Sequence, residues 1–197
     1  MLKLQDYLDA PDFDAAVTEL GASMRQALEL PKVFQLGLVV PDAEAADRDL
    51  AEQGIKTVLA MVATPSMCIV EGVENRSSTT LAFAYHHGYE LELIQPGEGA
   101  VFYARDLDPA GSIVLQHLGF VVRDIDTWVA RLCSGGQRLM VRGRIVTGPV
   151  EANYAYFDTR AEHGIIMELI SVQVFGRYLE SPQGLYTFLG RFKKRPY

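Results

Sequence analysis

Apolar and polar positions change period several times along the chain, and the changes divide it. In the first stretch Ala16, Val17, Leu20, Met24, Ala27 and Leu28 recur at helical spacing, and Asp12 or Asp14 can cap them, which predicts one or two helices over residues 1 to about 30. Val33 to Val40 is dense in branched side chains and predicts a strand, ended by Pro41-Asp42. Asp42 can cap a helix from Ala43 to Gln53, which Gly54 stops. Lys56 to Ala63 and Met67 to Val70 predict one strand broken near Pro65, and the polar run Glu71 to Ser78 predicts a turn. Thr79 to Tyr85 and Tyr89 to Gln95 predict two more strands. A Gly- and Pro-containing linker over 97–112 follows, with a short helix at Tyr103 to Leu107. Then the order returns: strand Ile113 to Val122, helix Ile125 to Cys133 with Gly135-Gly136 behind it, and strands near Arg138 to Ile145, Asn153 to Phe157 and Gly164 to Ile170. The aromatic-rich end, 172–197, is expected to pack back on the domain.

The recurrence is a repeat of residues as well as of elements. Gln35-Leu36-Gly37-Leu38-Val39-Val40-Pro41-Asp42 matches His117-Leu118-Gly119-Phe120-Val121-Val122-Arg123-Asp124, an offset of 82 (117 − 35). His87-Gly88-Tyr89-Glu90-Leu91-Glu92-Leu93-Ile94 matches His163-Gly164-Ile165-Ile166-Met167-Glu168-Leu169-Ile170 at an offset of 76 (168 − 92), so only loop length differs. The expected organisation is a helical extension (1–32), a strand-helix-three-strand module (33–96), the linker (97–112) and a second such module (113–171), followed by the tail.

Composition narrows the classes. Hydrophobic residues make up 49%, enough for a real core, and the net charge of −7 implies no basic surface for nucleic acid. The run Arg191-Phe192-Lys193-Lys194-Arg195 reads as a solvated tail rather than a phosphate or membrane patch. Cys68 and Cys133 allow one disulfide but no Cys-x-x-Cys zinc site. No stretch has the length and apolarity of a signal peptide or a membrane span, so a cytoplasmic protein without membrane or nucleic-acid partners is expected.

The paired positions carry the chemistry. Gln35, Glu92, His117 and Glu168 each supply an oxygen or nitrogen lone pair at matched places in the repeat. If the modules fold about a pseudo-twofold axis, the four meet at one site suited to zinc, nickel, cobalt, manganese or iron(II). Glu168 shares a strand face with the apolar Ile166 and Ile170, where a lone carboxylate is costly unless it has a partner. Glu90 shares a face with Glu92 and is a rival ligand; the alignment with Glu168 favours Glu92. Against this stand a structural His, a solvent-facing Glu in each strand, and a cleft that only binds ligands, lined by Tyr85, Tyr154, Tyr156 and Phe157.

At these residues, and at Phe157-Asp158-Thr159 before His163-Gly164, the chain resembles the vicinal oxygen chelate superfamily: glyoxalase I, methylmalonyl-CoA epimerase, extradiol dioxygenases and bleomycin-resistance proteins. The resemblance spans roughly 33–171 and implies an α+β fold in which two βαβββ modules pair into a curved mixed sheet around a central cleft. It implies one divalent metal on Gln35, Glu92, His117 and Glu168, a set similar to that of eukaryote-type glyoxalase I, and a homodimer. The implied activity is that of an isomerase, epimerase or lyase in which Glu92 and Glu168 move a proton beside a metal-bound carbonyl. An acyl-CoA thioester, a hemithioacetal or another 2-oxo compound would be the substrate. The arginine that glyoxalase I uses for glutathione is replaced by Val39, and the extra acidic base of the epimerases has no match in Thr79 to Tyr85. The alternatives are a metal-free, bleomycin-resistance-like binding protein and, ranked lower because His117 is the only imidazole of the set, an extradiol dioxygenase.

Overall fold

In the computed structural model, which describes residues 1–192 and 194–197, two strands of like sequence pair antiparallel at the centre of one sheet and the rest is built outward from them. In chain order the elements are β1 (Leu2–Lys3), α1 (Leu4–Leu8), α2 (Phe13–Leu28), β2 (Gln35–Val39), α3 (Ala43–Glu52), β3 (Thr57–Ala63), β4 (Met67–Val70), β5 (Val73–Glu74), β6 (Thr79–His86), β7 (Tyr89–Pro96) and α4 (Val101–Ala104). They continue with β8 (Val114–Val121), α5 (Ile125–Ser134), β9 (Leu139–Thr147), β10 (Val150–Phe157), α6 (Arg160–His163), β11 (Ile166–Val174), β12 (Arg177–Leu179) and α7 (Gln183–Gly190). The sheet runs β3-β6-β7-β2-β8-β11-β10-β9-β4-β5. About the antiparallel β2–β8 pair, β7, β6 and β3 on one side correspond to β11, β10 and β9 on the other, and β4 and β5 extend the second side. The paired βαβββ plan is therefore the observed fold, and the sheet is mixed, because β2–β7 and β8–β11 are parallel.

The capping residues act as their chemistry dictates. Asp12, Asp42 and Asp124 each accept a hydrogen bond from the backbone N–H three residues on, which starts α2, α3 and α5. Those helices cover one face of the sheet. Leu36, Leu38, Leu91, Leu93, Leu118, Phe120, Met167 and Leu169 point into that layer with Val17, Met24, Leu50 and Leu132. Strand alternation sends their neighbours Gln35, Glu90, Glu92, His117 and Glu168 to the other face, inside the curl.

Several expectations are corrected. The strand broken at Pro65 does not resume in its own module: β4 leaves β3 and pairs with β9 of the second module, so residues 64–66 join the two wings of the sheet. Polar Thr64 and Ser66 flank a proline that cannot continue a ladder, and Ser66 instead bonds the Arg144 carbonyl through both its N–H and its hydroxyl. The linker helix lies at Val101–Ala104, two residues before its expected start. Strands β9 and β10 form a longer hairpin than the pattern predicts. Phe157 faces the helix-covered core and not the cleft. Both cysteines are free thiols, Cys68 buried and Cys133 exposed. In the basic tail Lys193 lies outside the described residues; Arg191, Lys194 and Arg195 are exposed, and Arg195 also pairs with the buried carboxylate of Asp47 and bonds the Thr57 carbonyl. No helix among the described residues is long and apolar enough to cross a membrane.

Candidate metal centre

The Leu-Gly dipeptide of each repeat makes room for the other repeat's polar residue. In the antiparallel pair Gly37 lies opposite His117 and Gly119 opposite Gln35. A Cβ on Gly37 would occupy the His117 ring, and one on Gly119 would come within 2.8 Å of the Gln35 side chain. Glycine is required there by the close approach, not by the backbone angle.

Three of the four predicted donors converge. One ligand atom from each of Glu92, His117 and Glu168 lies within 4.8 Å of the others, and all three residues are buried. His117 Nε2 and Glu168 Oε2 stand 3.1 Å apart. Neither makes a hydrogen bond of acceptable geometry, and the Gln35 Oε1 atom is equally buried and without a partner. Buried atoms orphaned in this way are what a cation would satisfy, because a buried polar group left unpaired costs about 1–3 kcal/mol. Gln35 sits at the edge of the cluster, its Nε2 donating to Glu90 Oε1 at 2.8 Å, which leaves the amide oxygen free.

The imidazole is oriented by a residue that the repeat pattern did not single out. Between Gly37 and Leu38 the β2–β8 register slips, and Gln116 is the extra residue on β8. Successive side chains normally point to opposite faces; the bulge lets Gln116 and His117 lie together. Gln116 Oε1 lies 3.1 Å from His117 Nδ1, while Gln116 Nε2 donates to Asp106 Oδ2 at 2.6 Å. The Asp106 carboxylate only accepts, so the amide is fixed with its oxygen toward the ring. Nδ1 then carries the proton and Nε2 presents a lone pair to Glu168 and Glu92. The one sequence signal for this was a second polar residue, Gln116, in an apolar strand.

Glu90, the rival ligand, is occupied otherwise. It is buried, and it accepts from Gln35 and, at close range, from the Tyr85 hydroxyl. Burial raises its pKa to about 7, held back by those two donors. Burial likewise pushes Glu92 well above the usual carboxylate range, with the neighbouring charges of Glu168 and then Glu90 adding to it. Among the described residues no lysine or arginine lines either cavity that reaches Glu92 and Glu168. The larger cavity, about 280 Å³, opens from Gln35, Glu90, Glu92 and Glu168 toward α7. Tyr154 lines it, Tyr156 lines the smaller one of about 60 Å³, and Tyr85 reaches the site only through Glu90.

Comparison with known proteins places this architecture. A profile of the Glyoxalase/Bleomycin resistance protein/Dioxygenase superfamily matches residues 34–157, and the chain belongs to that superfamily. Among solved structures it is similar to a Streptomyces coelicolor methylmalonyl-CoA epimerase variant in complex with 2-nitronate-propionyl-CoA, with 16% identity and a TM-score of 0.50 over 72% of this chain and 94% of that one. It is also similar to a hypothetical protein of Bacillus halodurans, at 14% identity and TM-score 0.47 over 71% and 92% of the two chains. The methylmalonyl-CoA epimerase of Mycobacterium tuberculosis gives 19% and 0.44 over 73% and 93%. At these identities the likeness is one of fold. No curated protein matches the chain.

Proposed function

We propose that the protein is a divalent-metal-dependent isomerase, epimerase or lyase that moves a proton at a carbon next to a carbonyl. The observation that carries this reading is the set of orphaned acceptors, His117 Nε2, Glu168 Oε2 and Gln35 Oε1, gathered with Glu92 in a buried pocket. One imidazole, two carboxylates and an amide oxygen form a borderline-to-hard set that suits zinc, nickel, cobalt, manganese or iron(II). A bound divalent ion would supply Lewis-acid polarisation of the substrate oxygen and so acidify the adjacent C–H. Glu92 and Glu168 come from strands on opposite sides of the pseudo-twofold axis, so one can take a proton from one face of the substrate and the other return it. Burial raises the basicity of Glu92, which favours that transfer. The methylmalonyl-CoA epimerases of like fold make epimerisation a reasonable member of the set. A dioxygenase of the extradiol type, which needs two imidazoles, finds only His117.

Elemental analysis of the purified protein, followed by solvent deuterium exchange into a panel of carbonyl compounds, tests the proposal. One equivalent of a divalent metal and exchange reduced about 10²–10⁴-fold by Glu168→Gln are expected. Protein that binds no metal when offered zinc, nickel or manganese would be a ligand-binding member of the superfamily instead.

A further inference from the structure

The walls of the 280 Å³ cavity speak to what fills it. Its floor is polar: Gln35, Glu90, Glu92 and Glu168. Above them the lining turns apolar, with Leu59, Met61, Leu81, Phe83, Ile145 and Val150 from the two wings of the sheet. The roof is α7, whose Leu185, Tyr186, Phe188 and Leu189 face the cavity and whose Tyr186 ring packs on Phe83 with centroids 4.7 Å apart. The helix is held close: Gly190 lies so near the Val58 carbonyl that any side chain there would displace it. The amphipathic tail therefore closes the open side of the curl and supplies four apolar or aromatic side chains to the wall.

We propose that the ligand is an uncharged, largely hydrocarbon carbonyl compound of about two fused rings, enclosed beneath α7, and not a coenzyme A thioester. The size follows from volume: the cavity is nearly twice the roughly 150 Å³ that accepts one benzene ring. The charge follows from chemistry. Among the described residues no lysine, arginine or histidine lines this cavity, whereas three carboxylates do. A nucleotide diphosphate inside this cavity would find no cation among the lining residues to replace its water. The polarity gradient sets the orientation: the carbonyl points down to the acids, and the hydrocarbon lies against Phe83 and α7. The inference rests on the proposed proton chemistry for the position of the carbonyl, and on the cavity alone for the nature of the body.

The test is equilibrium binding of 2-acetylnaphthalene and of propionyl-CoA to the full-length protein as purified, with its metal content measured in parallel. The ketone should bind saturably and at least about tenfold more tightly than the thioester. Leu185→Arg, at a half-exposed position of α7 that lines the cavity, should weaken the ketone by about tenfold or more by putting a cation into the apolar roof. Equal or tighter binding of propionyl-CoA, or a Leu185→Arg protein of wild-type ketone affinity, overturns the proposal. Absence of metal with the ketone preference intact would remove the proton-transfer reading and leave this one standing.

Discussion

At the residue scale the site is an accumulation of buried acids, and Glu90 exposes the cost. Its folded-state pKa of about 7 exceeds the ordinary carboxylate value of 4.5. The groups around it are the donors Gln35 and Tyr85, the charge of Glu168, and Glu92 and Tyr186 nearby on the cavity wall. Below the unfolded value Glu90 is protonated in both states and costs nothing. Between the two values the unfolded chain releases a proton that the folded one retains, so stability falls as pH rises; above the folded value the full penalty persists, on the order of 3 kcal/mol. In metal-stripped protein the Glu90→Gln variant, which keeps an acceptor for Tyr85, should therefore gain thermal stability over wild type at about pH 8 and gain almost none at about pH 4. Parallel melting curves at the two pH values would mean that Glu90 does not carry this penalty. Gln35 and Glu90 also show why the halves differ: their counterparts His117 and Ile166 sit side by side in the same register with no acid between them.

At the element scale the decisive feature is the β8 bulge, because it supplies the orientation of His117. Partners that hold a metal-binding histidine are worth about 10–100-fold in metal affinity. Gln116→Ala removes the Nδ1 contact and leaves the strand intact, so zinc affinity should fall by about that factor while the circular dichroism spectrum is unchanged. Asp106→Asn should give a smaller loss, since its amide can reverse the polarity of the Gln116 contact; a Gln116→Ala protein with wild-type zinc affinity would show that the ring is held by packing alone. How far the sequence reveals this site can be read from the same strands. Gln35, Glu92, His117 and Glu168 are visible because a repeat aligns them and because period-two alternation puts polar residues on an apolar face. Gln116 shows in the sequence only as a second polar residue in an apolar strand; its contacts with His117 and Asp106 do not, since a bulge breaks the alternation that would place it. The roof is invisible for another reason: the tail has no counterpart in the repeat, and the apolar pattern of α7 says that it packs but not where.

At the scale of the whole molecule the question is whether two copies of a module behave as two units. Two features of the fold weigh against it. The seam between β2 and β8 is an antiparallel pairing, bulged at Gln116, with Leu36, Leu38, Leu118 and Phe120 packed beneath it, so separating the halves would strip backbone hydrogen bonds and expose core at once. The far wings are joined as well, because β4 is first-module chain paired to the second-module strand β9 through Met67–Val70. The pattern of residues reveals the break at Pro65 but not this exchange, since a strand's choice of partner depends on a sheet edge that exists only after the modules have met. The helical extension adds a third tie: Gly21 of α2 packs against Val33 of one half and Leu118 of the other. Unfolding should therefore be a single transition. Trp128, the chain's one tryptophan, lies on α5 of the second module and reports that half by fluorescence, whereas far-ultraviolet circular dichroism reports both. In urea the two curves should coincide, with an m-value set by the surface of all 197 residues rather than of one module. A fluorescence midpoint separated from the dichroism midpoint would show that the seam yields before the modules do, and that the shared site is assembled from halves that are each stable alone.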